Sequence, residues 1–496
     1  MSQITDSLQK EEINMISPTS LGSISCLALT NLLGEQKVAA PGSAAYSSSL
    51  QSYFSNQQSS TLPACIVSPH SAEDVSSAIK SLVSQGVASH FAIRSGGHTM
   101  WAGASNIADG VVIDLRALDT VKLNADKSTV LVGTGATWDA VYAKLDPHGL
   151  SVNGGRAAGV GVGGLTLGGG ISYFSPRYGW TCDTVSNFQI VLADGAIINA
   201  NAESHADLFF ALKGGNNNFG IVTRIDLATF EQGPIWAATL YNSFSLVDDV
   251  IREFVKLNSR DAYDEHASYY TTFGYSQAQG MGVISSQLEY TKAVENPPVY
   301  QGYLSLPNLR LTTQTTNMTD LAKQTAALSP THARALYRVS TLLSTEEVIK
   351  AVYNHWNASL PAITNVTGIL WALVMEPLPP AIYSRHAKTN AFGLSDRRES
   401  LFVCLLSTTW ANAIDDPLVS ATANKLMDAI EKEAAGLGTL DPFIYLDYSG
   451  QFQDPIGSYG ADSIQRLRAA SHKYDPDKVF TIQVPGGYKI PSVKST

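Results

Sequence analysis

The segment from Gly159 to Gly170 constrains the fold of this chain most, because seven of its twelve residues are glycine. Glycine at this density serves where the backbone must come very close to another group, with N–H groups pointing into a concavity that suits a pyrophosphate. Gly159, Gly161 and Gly164 match the dinucleotide pattern G-x-G-x-x-G. Three more glycines follow, however, each costing about 1 kcal/mol inside a helix, and no clear strand precedes the segment. We therefore predict a phosphate-facing loop with at most a short helix, and neither a Rossmann unit nor a solvated linker.

Two further glycine-rich corners stand on either side of this loop. The apolar strand from Phe91 to Ile93 runs into Arg94-Ser95-Gly96-Gly97-His98. A histidine there is either a turn residue with satisfied hydrogen bonds or a ligand or catalytic group, and a second glycine corner nearby favours the functional interpretation. The third corner, Lys213 to Gly220, is rich in asparagine. Its amides could surround a polar cofactor, or the segment could be a polar loop that enters a strand.

Length and charge narrow the class of protein. A chain of 496 residues is too long for one hydrophobic core, so we expect two domains or one domain split by an insertion. The net charge of −10 makes nucleic acids and anionic membrane surfaces poor partners. No stretch approaches the roughly 18 apolar residues that a membrane-spanning helix needs, and no metal site is indicated.

Changes in glycine content and in the predicted helices and strands along the sequence indicate how the chain is divided into domains. Strands and glycine corners fill the first half and include a strand, helix, strand unit with a helix start at Ser71 and a hairpin at Asp194-Gly195. Longer helices then alternate with strands, and Tyr445 to Tyr448 resembles a strand near the end. We therefore predict an α+β protein with four segments: a leader over 1–25, a first nucleotide-binding part over 26–232, an inserted substrate domain over 233–440, and a return to the first domain over 441–496.

The cysteines and the first residues bear on the cellular compartment. Cys26 and Cys65 could form a disulfide or remain two thiols, whereas Cys182 and Cys404 lie in apolar surroundings that indicate buried thiols. The acidic start lacks the features of a signal peptide, which favours the cytoplasm, although the Cys26 and Cys65 pair is also compatible with secretion. Sequons at Asn317, Asn357 and Asn365 would matter only on the secretory route.

The three glycine corners, in this order, resemble the FAD-binding half of the vanillyl-alcohol oxidase superfamily, which has a PCMH-type fold, and within it the berberine-bridge-enzyme-like oxidases. The resemblance covers about Cys26 to Ile490 and is strongest to fungal members. It extends to the closing motifs Tyr445 to Tyr448, Gln453 to Pro455, Ser458 to Gly460, Tyr474 to Phe480 and Pro485 to Lys489. The fold it implies has an FAD-binding domain of two α/β subdomains and an inserted substrate domain of antiparallel sheet covered by helices.

The same resemblance implies how FAD is held. His98 would bond covalently to the 8α-methyl group of the flavin, and Ala157 stands where many relatives have a second, cysteinyl attachment, so a single link is expected. Val160 matches the residue thought to admit or exclude oxygen, where valine is typical of oxidases. The residues expected to contact the cofactor are His98, Arg94, Ser95, Gly96, Gly97, Gly159, Val160, Gly161, Gly163, Gly164, Gly168, Gly169, Asn218, Gly220, Ile221 and Val222.

Three residues are candidates for catalysis, because hydride transfer to flavin needs a base that takes a proton. Tyr448 matches a family tyrosine that acts as this base in several members, and it would need an activating neighbour because a free phenol has a pKa near 10. Asp447 replaces the family's asparagine, and strand alternation would direct it away from Tyr448 towards substrate or a cation. Glu376 is either a strand-end residue or a group presented to the flavin.

We therefore expect an FAD-dependent oxidase that dehydrogenates or oxidatively cyclises a small organic molecule, with O2 as electron acceptor and hydrogen peroxide as product. Its substrate would be an alcohol, an amine or an activated C–H compound, and the resemblance to fungal members suggests a secondary metabolite. A cyclase or isomerase with a structural FAD and no net redox change is the alternative. A cleft that binds without catalysis is a third interpretation.

Overall fold

The computed structural model describes residues 18–87, 89–261 and 263–492. Three β-sheets with helices beside them confirm the α+β class. The strands are β1 (Val38–Ala39), β2 (Cys65–Val67), β3 (Phe91–Arg94), β4 (Val111–Asp114), β5 (Val121–Leu123), β6 (Thr129–Gly133), β7 (Leu150–Val152), β8 (Val185–Val191), β9 (Ile197–Asn201), β10 (Ile221–Glu231), β11 (Ile235–Asn242), β12 (Ala267–Ser276), β13 (Met281–Tyr290), β14 (Arg310–Thr316), β15 (Arg334–Leu343), β16 (Leu370–Leu378), β17 (Leu401–Trp410) and β18 (Leu440–Asp441). The α-helices are α1 (Pro18–Leu33), α2 (Ala44–Gln51), α3 (Asn56–Ser59), α4 (Ala72–Ser84), α5 (Trp138–Leu145), α6 (Val162–Gly168), α7 (Ser175–Tyr178), α8 (Ala206–Ala211), α9 (Val247–Leu257), α10 (Gln301–Leu304), α11 (Met318–Ala326), α12 (Glu346–Ile363), α13 (Pro380–Tyr383), α14 (Asp416–Gly436), α15 (Ala461–Tyr474) and α16 (Val479–Ile482).

The first sheet contains the predicted strand, helix, strand unit. Its strand order is β1-β2-β4-β3, and β2, β4 and β3 run parallel. The helix between β2 and β3 begins where the sequence indicates, because the Ser71 hydroxyl accepts a hydrogen bond from Asp74 N at 3.2 Å. Ile79 and Leu82 of this helix are fully buried against the sheet. The unit ends at β3, so it delivers the chain directly into the corner that holds His98.

The second sheet is antiparallel and carries the other two corners. Its strands follow the order β5-β6-β10-β8-β9, with β7 also paired to β10. The predicted hairpin joins β8 to β9, where Gly195 adopts φ of 80° and Asp194 Oδ1 accepts a hydrogen bond from Ala196 N at 2.8 Å. Between β7 and β8 lies the glycine loop, and Asn216 to Gly220 lead into β10. Both corners therefore lie beside one sheet.

The third sheet has eight antiparallel strands in the order β14-β11-β13-β12-β16-β17-β15-β18. Its two faces differ in chemistry, because side chains alternate along each strand. In β16, Leu373 and Met375 are fully buried in the core that includes residues of α9, α12 and α14, whereas Val374 and Glu376 line the main cavity of the protein. The face without these helices is therefore the one that can contact a ligand.

The amino-terminal helix is joined to the first sheet by a disulfide. Cys26 of α1 and Cys65 of β2 are bonded, with their Cα atoms 5.9 Å apart. Cys182 and Cys404 are buried free thiols, as expected. The helix begins at Pro18, well before the expected start of the folded chain, and Ser25 Oγ bonds to Gln85 and Ser89. The remainder of the predicted leader lies outside the described residues.

The length and apolar character of the helices bear on whether any of them could cross a membrane. Within the part of the chain that the structure describes, none of them combines the length and the apolar character that a bilayer span requires.

Candidate active site

The first two glycine corners touch each other backbone to backbone. A Cβ placed on Gly96 would lie 2.5 Å from Gly161 N, and one placed on Gly161 would lie 2.3 Å from Gly96 N. No side chain fits between them, so the requirement for glycine is steric at both positions. The corner that ends β3 and the loop that precedes α6 therefore form one continuous surface.

Hydrogen bonds fix this surface to the second sheet. Ser95 Oγ donates to the backbone oxygen of Thr134 at 2.6 Å and accepts from Gly163 N at 3.2 Å. Trp138 N donates to Val160 O at 3.1 Å. The glycine loop enters a helix of only seven residues, in agreement with the prediction of at most a short helix.

The third corner contacts the carboxy-terminal motif. Asn218 Nδ2 donates to Gly215 O at 2.8 Å and to Tyr488 O at 2.9 Å, and Asn217 Nδ2 donates to Gly486 O at 3.0 Å. The amides thus bind the returning chain and hold the corner in shape. The third corner and the final motif therefore form one hydrogen-bonded unit.

A cavity of about 830 Å³ lies where these corners meet the ligand-facing side of the third sheet. Its volume is within the range of roughly 300–1,000 Å³ found for small-molecule and cofactor sites. From the corners it is lined by Ser95, Gly96, Gly97, His98, Ala157, Gly159, Val160, Gly161, Gly163, Gly164, Asn216, Asn217, Gly220, Ile221 and Val222. From the third sheet and the carboxy-terminal segment it is lined by residues that include Tyr270, Thr272, Ser285, Gln287, Tyr337, Val374, Glu376, Ser407, Asp447 and Tyr448.

The glycine-lined end of the cavity fits a dinucleotide cofactor. A Cβ on Gly159 or Gly164 would meet no atom within 4 Å, so each of these lining residues leaves open space where another residue would place a side chain. The N–H groups of Gly159, Val162 and Gly163 donate to Asp139 Oδ1, Ala136 O and Ser95 Oγ, so the feature of this loop that suits a phosphate is the close approach to the backbone that the missing side chains allow. Gly159 to Gly164 and the Ser95 to Gly97 turn would hold the pyrophosphate of FAD, and Gly220 to Val222 would border the rest of it.

His98 lies in the wall of the same cavity. Its ring stacks on Phe54 with centroids 4.1 Å apart. Burial lowers the pKa of His98 to about 4, so the imidazole is neutral at neutral pH. A neutral imidazole has a nitrogen lone pair, which a bond to carbon requires.

Four of the residues expected to contact the cofactor lie behind the cavity wall and shape it instead. The Arg94 guanidinium donates to Ser49 O at 2.7 Å and stacks over the Tyr53 ring, because β3 directs it away from the ligand. A Cβ on Gly168 would collide with Asp447, and one on Gly169 would approach Phe392. Asn218, as described above, binds the backbone of the closing motif. The remaining twelve predicted cofactor residues all line the cavity: Ser95, Gly96, Gly97, His98, Gly159, Val160, Gly161, Gly163, Gly164, Gly220, Ile221 and Val222.

A hydrogen-bonded triad lies at the other end of the cavity. Arg156 Nη2 donates to Glu376 Oε1 at 2.6 Å and to the Tyr448 hydroxyl at 2.7 Å. That hydroxyl in turn donates to Glu376 Oε1 at 3.1 Å. The Arg156 and Glu376 side chains are only 12% and 6% exposed, so their ion pair is largely removed from solvent. Glu376 is therefore a member of the site and not merely a strand-end residue.

The electrostatics of the triad bear on the expected role of Tyr448. Burial, which Arg156 only partly offsets and to which Glu376 adds, raises the pKa of Tyr448 well above its ordinary value of 10. A phenol with a raised pKa is a poor base at neutral pH. Glu376, which also lines the cavity, is a second candidate for the group that accepts a proton.

Asp447 differs from expectation in its local structure. Tyr445 to Tyr448 do not form a strand, because Leu446–Tyr448 is a turn of 3-10 helix in which Tyr448 N donates to Tyr445 O. Asp447 still points away from the triad: its Oδ2 accepts hydrogen bonds from Gly170 N at 3.1 Å and from the Tyr445 hydroxyl at 2.8 Å. Burial raises the pKa of Asp447 to about 7 despite these bonds. The hydrogen-bond partners of Asp447 lie in the glycine loop and in its own turn, so this side chain links the loop to the turn.

Arg156 is a residue of this site that the sequence did not indicate. It precedes Ala157, the position of the absent cysteine, and its partner Glu376 lies 220 residues away. One signal was present in the sequence: Arg156 is the only charged residue between Leu150 and Pro176. A single charge among glycines and apolar residues needs a partner when it is buried.

Comparison with known proteins agrees with this geometry. Residues 63–201 match a family of FAD binding domains. The FAD-dependent monooxygenase CTB5 of Cercospora beticola is 34% identical over 492 residues, which cover 94% of this chain and 92% of that protein. A protein of Diaporthe leptostromiformis named oligopeptidase PhomG' is 48% identical over 473 residues, or 93% of this chain, but the chain spans only 37% of its length.

Solved structures share the fold over nearly the whole chain. The 6-hydroxy-D-nicotine oxidase of Arthrobacter nicotinovorans has a TM-score of 0.77 at 18% identity, covering 92% of this chain and 97% of that one. The glucooligosaccharide oxidase of Acremonium strictum, with a 6-S-cysteinyl, 8α-N1-histidyl FAD, has a TM-score of 0.74 at 17% identity, covering 96% and 99%. This chain belongs to the family of FAD-binding oxidoreductases that includes fungal FAD-dependent monooxygenases such as CTB5, and its fold is that of the berberine-bridge-enzyme-like oxidases.

Proposed function

We propose that this chain is an oxidase that carries FAD on a single covalent bond to His98 and dehydrogenates a small organic molecule. The supporting observation is that one cavity is lined by His98, by the glycine loop and by the Arg156, Glu376 and Tyr448 triad. A cofactor attached to His98 and a substrate bound at the triad would therefore lie in the same cavity. The reaction removes two hydrogens from the substrate and passes them to O2, which becomes hydrogen peroxide.

Each lining group has a part in this reaction. FAD supplies the hydride acceptor when it is bound. Glu376 takes the proton, and Tyr448 and Arg156 hold its carboxylate in place through hydrogen bonds of 3.1 Å and 2.6 Å. The ligand-facing side of the third sheet encloses the substrate with a mixture of polar side chains, such as Thr272 and Gln287, and apolar ones, such as Val374. This mixture suits a compact organic molecule, and the fungal relatives make a secondary metabolite the natural choice.

The attachment in this chain is the histidyl one alone. Ala157 lines the cavity where a cysteinyl link would start, while Cys182 and Cys404 are buried elsewhere in the interior. Wild-type protein precipitated in acid should therefore retain its yellow colour, and His98→Ala should release its flavin into the supernatant. A colourless wild-type precipitate would contradict the covalent link.

A second candidate function is monooxygenation, because relatives of this length carry that name. The fate of the oxygen atoms distinguishes an oxidase from a monooxygenase. An oxidase releases one hydrogen peroxide per substrate oxidised and leaves the product free of label from 18O2, whereas a monooxygenase transfers one labelled atom to the product. Turnover without any anaerobic bleaching of the flavin would instead support a cyclase with no net redox change.

A further inference from the structure

Arg156 has hydrogen-bond donors that the protein does not use. Both of its bonds, to Glu376 and to Tyr448, come from Nη2. A guanidinium also carries one N–H on Nε and two on Nη1. Over residues 18–87, 89–261 and 263–492, these groups have no hydrogen-bond partner, and the side chain lines the main cavity. Donors in such a place are available to a ligand.

The charges around Arg156 balance only while Glu376 is ionised. The other carboxyl group nearby, Glu289, is 3% exposed and lies on the same side of β13 as the lining residues Ser285 and Gln287. Burial raises the pKa of Glu289 to about 8, so it is uncharged at neutral pH. Arg156 therefore has one carboxylate as counter-ion, and it loses that counter-ion whenever Glu376 accepts a proton.

We propose that Arg156 binds the substrate through Nε and Nη1, and that the atom it binds is a hydroxyl oxygen whose proton passes to Glu376. In this step the substrate O–H bond breaks, a new O–H bond forms on the Glu376 carboxylate, and the electron pair stays on the substrate oxygen. The negative charge thus moves from one partner of Arg156 to another, and the guanidinium remains neutralised throughout. This inference rests on the proposed function and narrows its substrates to alcohols, phenols and enols.

The donor-only character of arginine argues against an amine. A guanidinium is positively charged and has no acceptor atom, so it repels an ammonium group and cannot accept its N–H. A neutral amine could accept from Arg156, but its N–H is far less acidic than an O–H and would not pass its proton to Glu376. A hydroxyl oxygen accepts from Arg156 and donates to Glu376 at the same time, which satisfies both groups. Buried polar groups that are satisfied in this way favour the matching ligand strongly over one that lacks the oxygen.

The test uses 4-nitrophenolate as an oxyanion probe and nitrobenzene as its uncharged analogue, at a pH where the probe is ionised. Three flavin-loaded proteins are compared: wild type, Glu376→Gln, and the double variant Arg156→Gln with Glu376→Gln. Glu376→Gln frees Arg156 from its counter-ion, so it should bind the phenolate roughly tenfold more tightly than wild type or better. The double variant should lose that gain. Nitrobenzene should bind all three proteins equally well.

Several controls make the result decisive. Arg177→Gln removes an arginine that donates to Gln232 Oε1 at 3.0 Å outside the main cavity, and it should bind the probe as wild type does. If Glu376→Gln does not fold, the double variant, which has no unpaired charge, must still bind neutral 4-nitrophenol at least about tenfold more weakly than wild type.

Equal phenolate affinity in Glu376→Gln and in the double variant would overturn the role of Arg156. Flavin content is measured on the same samples by acid precipitation. A protein without covalent flavin contradicts the proposed function, whereas a flavin-loaded protein with equal affinities contradicts only the inference about Arg156.

Discussion

Gly96 and Gly161 are in direct backbone contact, since a Cβ on Gly161 would lie only 2.3 Å from Gly96 N and 2.6 Å from Ser95 Oγ. Neither glycine has a positive φ, so the contact alone excludes a side chain. The consequence is that two corners separated along the sequence act as one cofactor-binding surface. Any residue larger than glycine must push them apart.

We therefore expect Gly161→Ala to lower both stability and flavin content. Forced overpacking of this kind costs typically about 1–3 kcal/mol, and displacement of the loop would also change the shape of the surface that would hold the pyrophosphate. Thermal unfolding and the flavin retained after acid precipitation measure the two effects. Gly436→Ala is the matched control, because a Cβ there meets nothing within 4 Å and it lies in α14. A Gly161→Ala protein as stable and as yellow as this control would contradict the steric argument.

The two halves of the triad should differ in their effect on catalysis. Glu376→Gln removes the proton acceptor, so flavin reduction by substrate should fall by roughly 100- to 10,000-fold. Tyr448→Phe keeps the Arg156–Glu376 ion pair and the ring contacts with Tyr337 and Tyr445. It loses two hydrogen bonds to charged groups, one accepted from Arg156 and one donated to Glu376; the second orients the carboxylate and is worth about 1.5–3 kcal/mol. Its reduction rate should fall by roughly 10- to 100-fold.

Anaerobic stopped-flow reduction of the flavin measures both rates, and equal acid-stable flavin in both variants shows that the cofactor site is intact. A larger loss in Tyr448→Phe than in Glu376→Gln would return the role of base to the tyrosine. The raised pKa of Tyr448 argues against that outcome.

The sequence predicted the cofactor end of the site better than the substrate end. Glycine corners are local patterns that the sequence shows directly, whereas the contact between Gly96 and Gly161 is seen only in the structure. The Arg156–Glu376 pair joins residues 220 positions apart. Local periodicity in the sequence cannot predict a contact between residues that far apart. The alternation of side chains over Tyr445 to Tyr448 predicts a strand. The backbone of this segment instead closes a turn on itself, as in the Ser449 N to Leu446 O hydrogen bond.

At individual residues, the structure differs from the sequence-based expectation in the direction of the side chain more than in the place of the residue in the fold. Arg94 belongs to the same corner as His98, but its guanidinium does not face the cavity. It is fully buried near Asp114. Glu376 was placed at the end of a strand, and the pleat of β16 decides that it faces the cavity while Met375 faces the helices. Both outcomes depend on which face of a sheet is covered, and sequence pattern reports this only when the two faces differ in polarity.

Val160 offers a test of oxygen access. It lines the cavity next to Gly161, and its backbone oxygen is held by Trp138 N, so its side chain cannot easily move away. Val160→Leu should slow the reaction of reduced flavin with O2 by roughly tenfold or more and leave reduction by substrate nearly unchanged. The two half-reactions measured separately in the same protein provide the control. Equal oxygen rates in wild type and variant would remove Val160 as a gate.

Asp447 makes stability depend on pH in a direction that can be worked out. The pKa of an exposed aspartate is about 4, and burial raises that of Asp447 to about 7 in the folded protein. The folded state therefore binds this proton more tightly than the unfolded state does between these values. The stabilisation is fully present below about pH 4 and is lost as the pH rises through about 7.

Asp447→Asn should abolish this dependence, because an amide does not titrate and its oxygen can still accept from Gly170 N and from the Tyr445 hydroxyl. We expect the variant to be more stable than wild type above pH 7, by about 1 kcal/mol or more in the free energy of unfolding, with the difference shrinking towards pH 4. Denaturant unfolding at several pH values measures this difference. Asp119→Asn, which neutralises an exposed carboxylate, should follow the wild-type curve. Glu289, whose pKa burial also raises, contributes to the slope of both proteins, so the decisive quantity is the difference between the two curves. If Asp447→Asn loses stability between pH 4 and 7 as steeply as wild type does, the Asp447 carboxyl is not the titrating group.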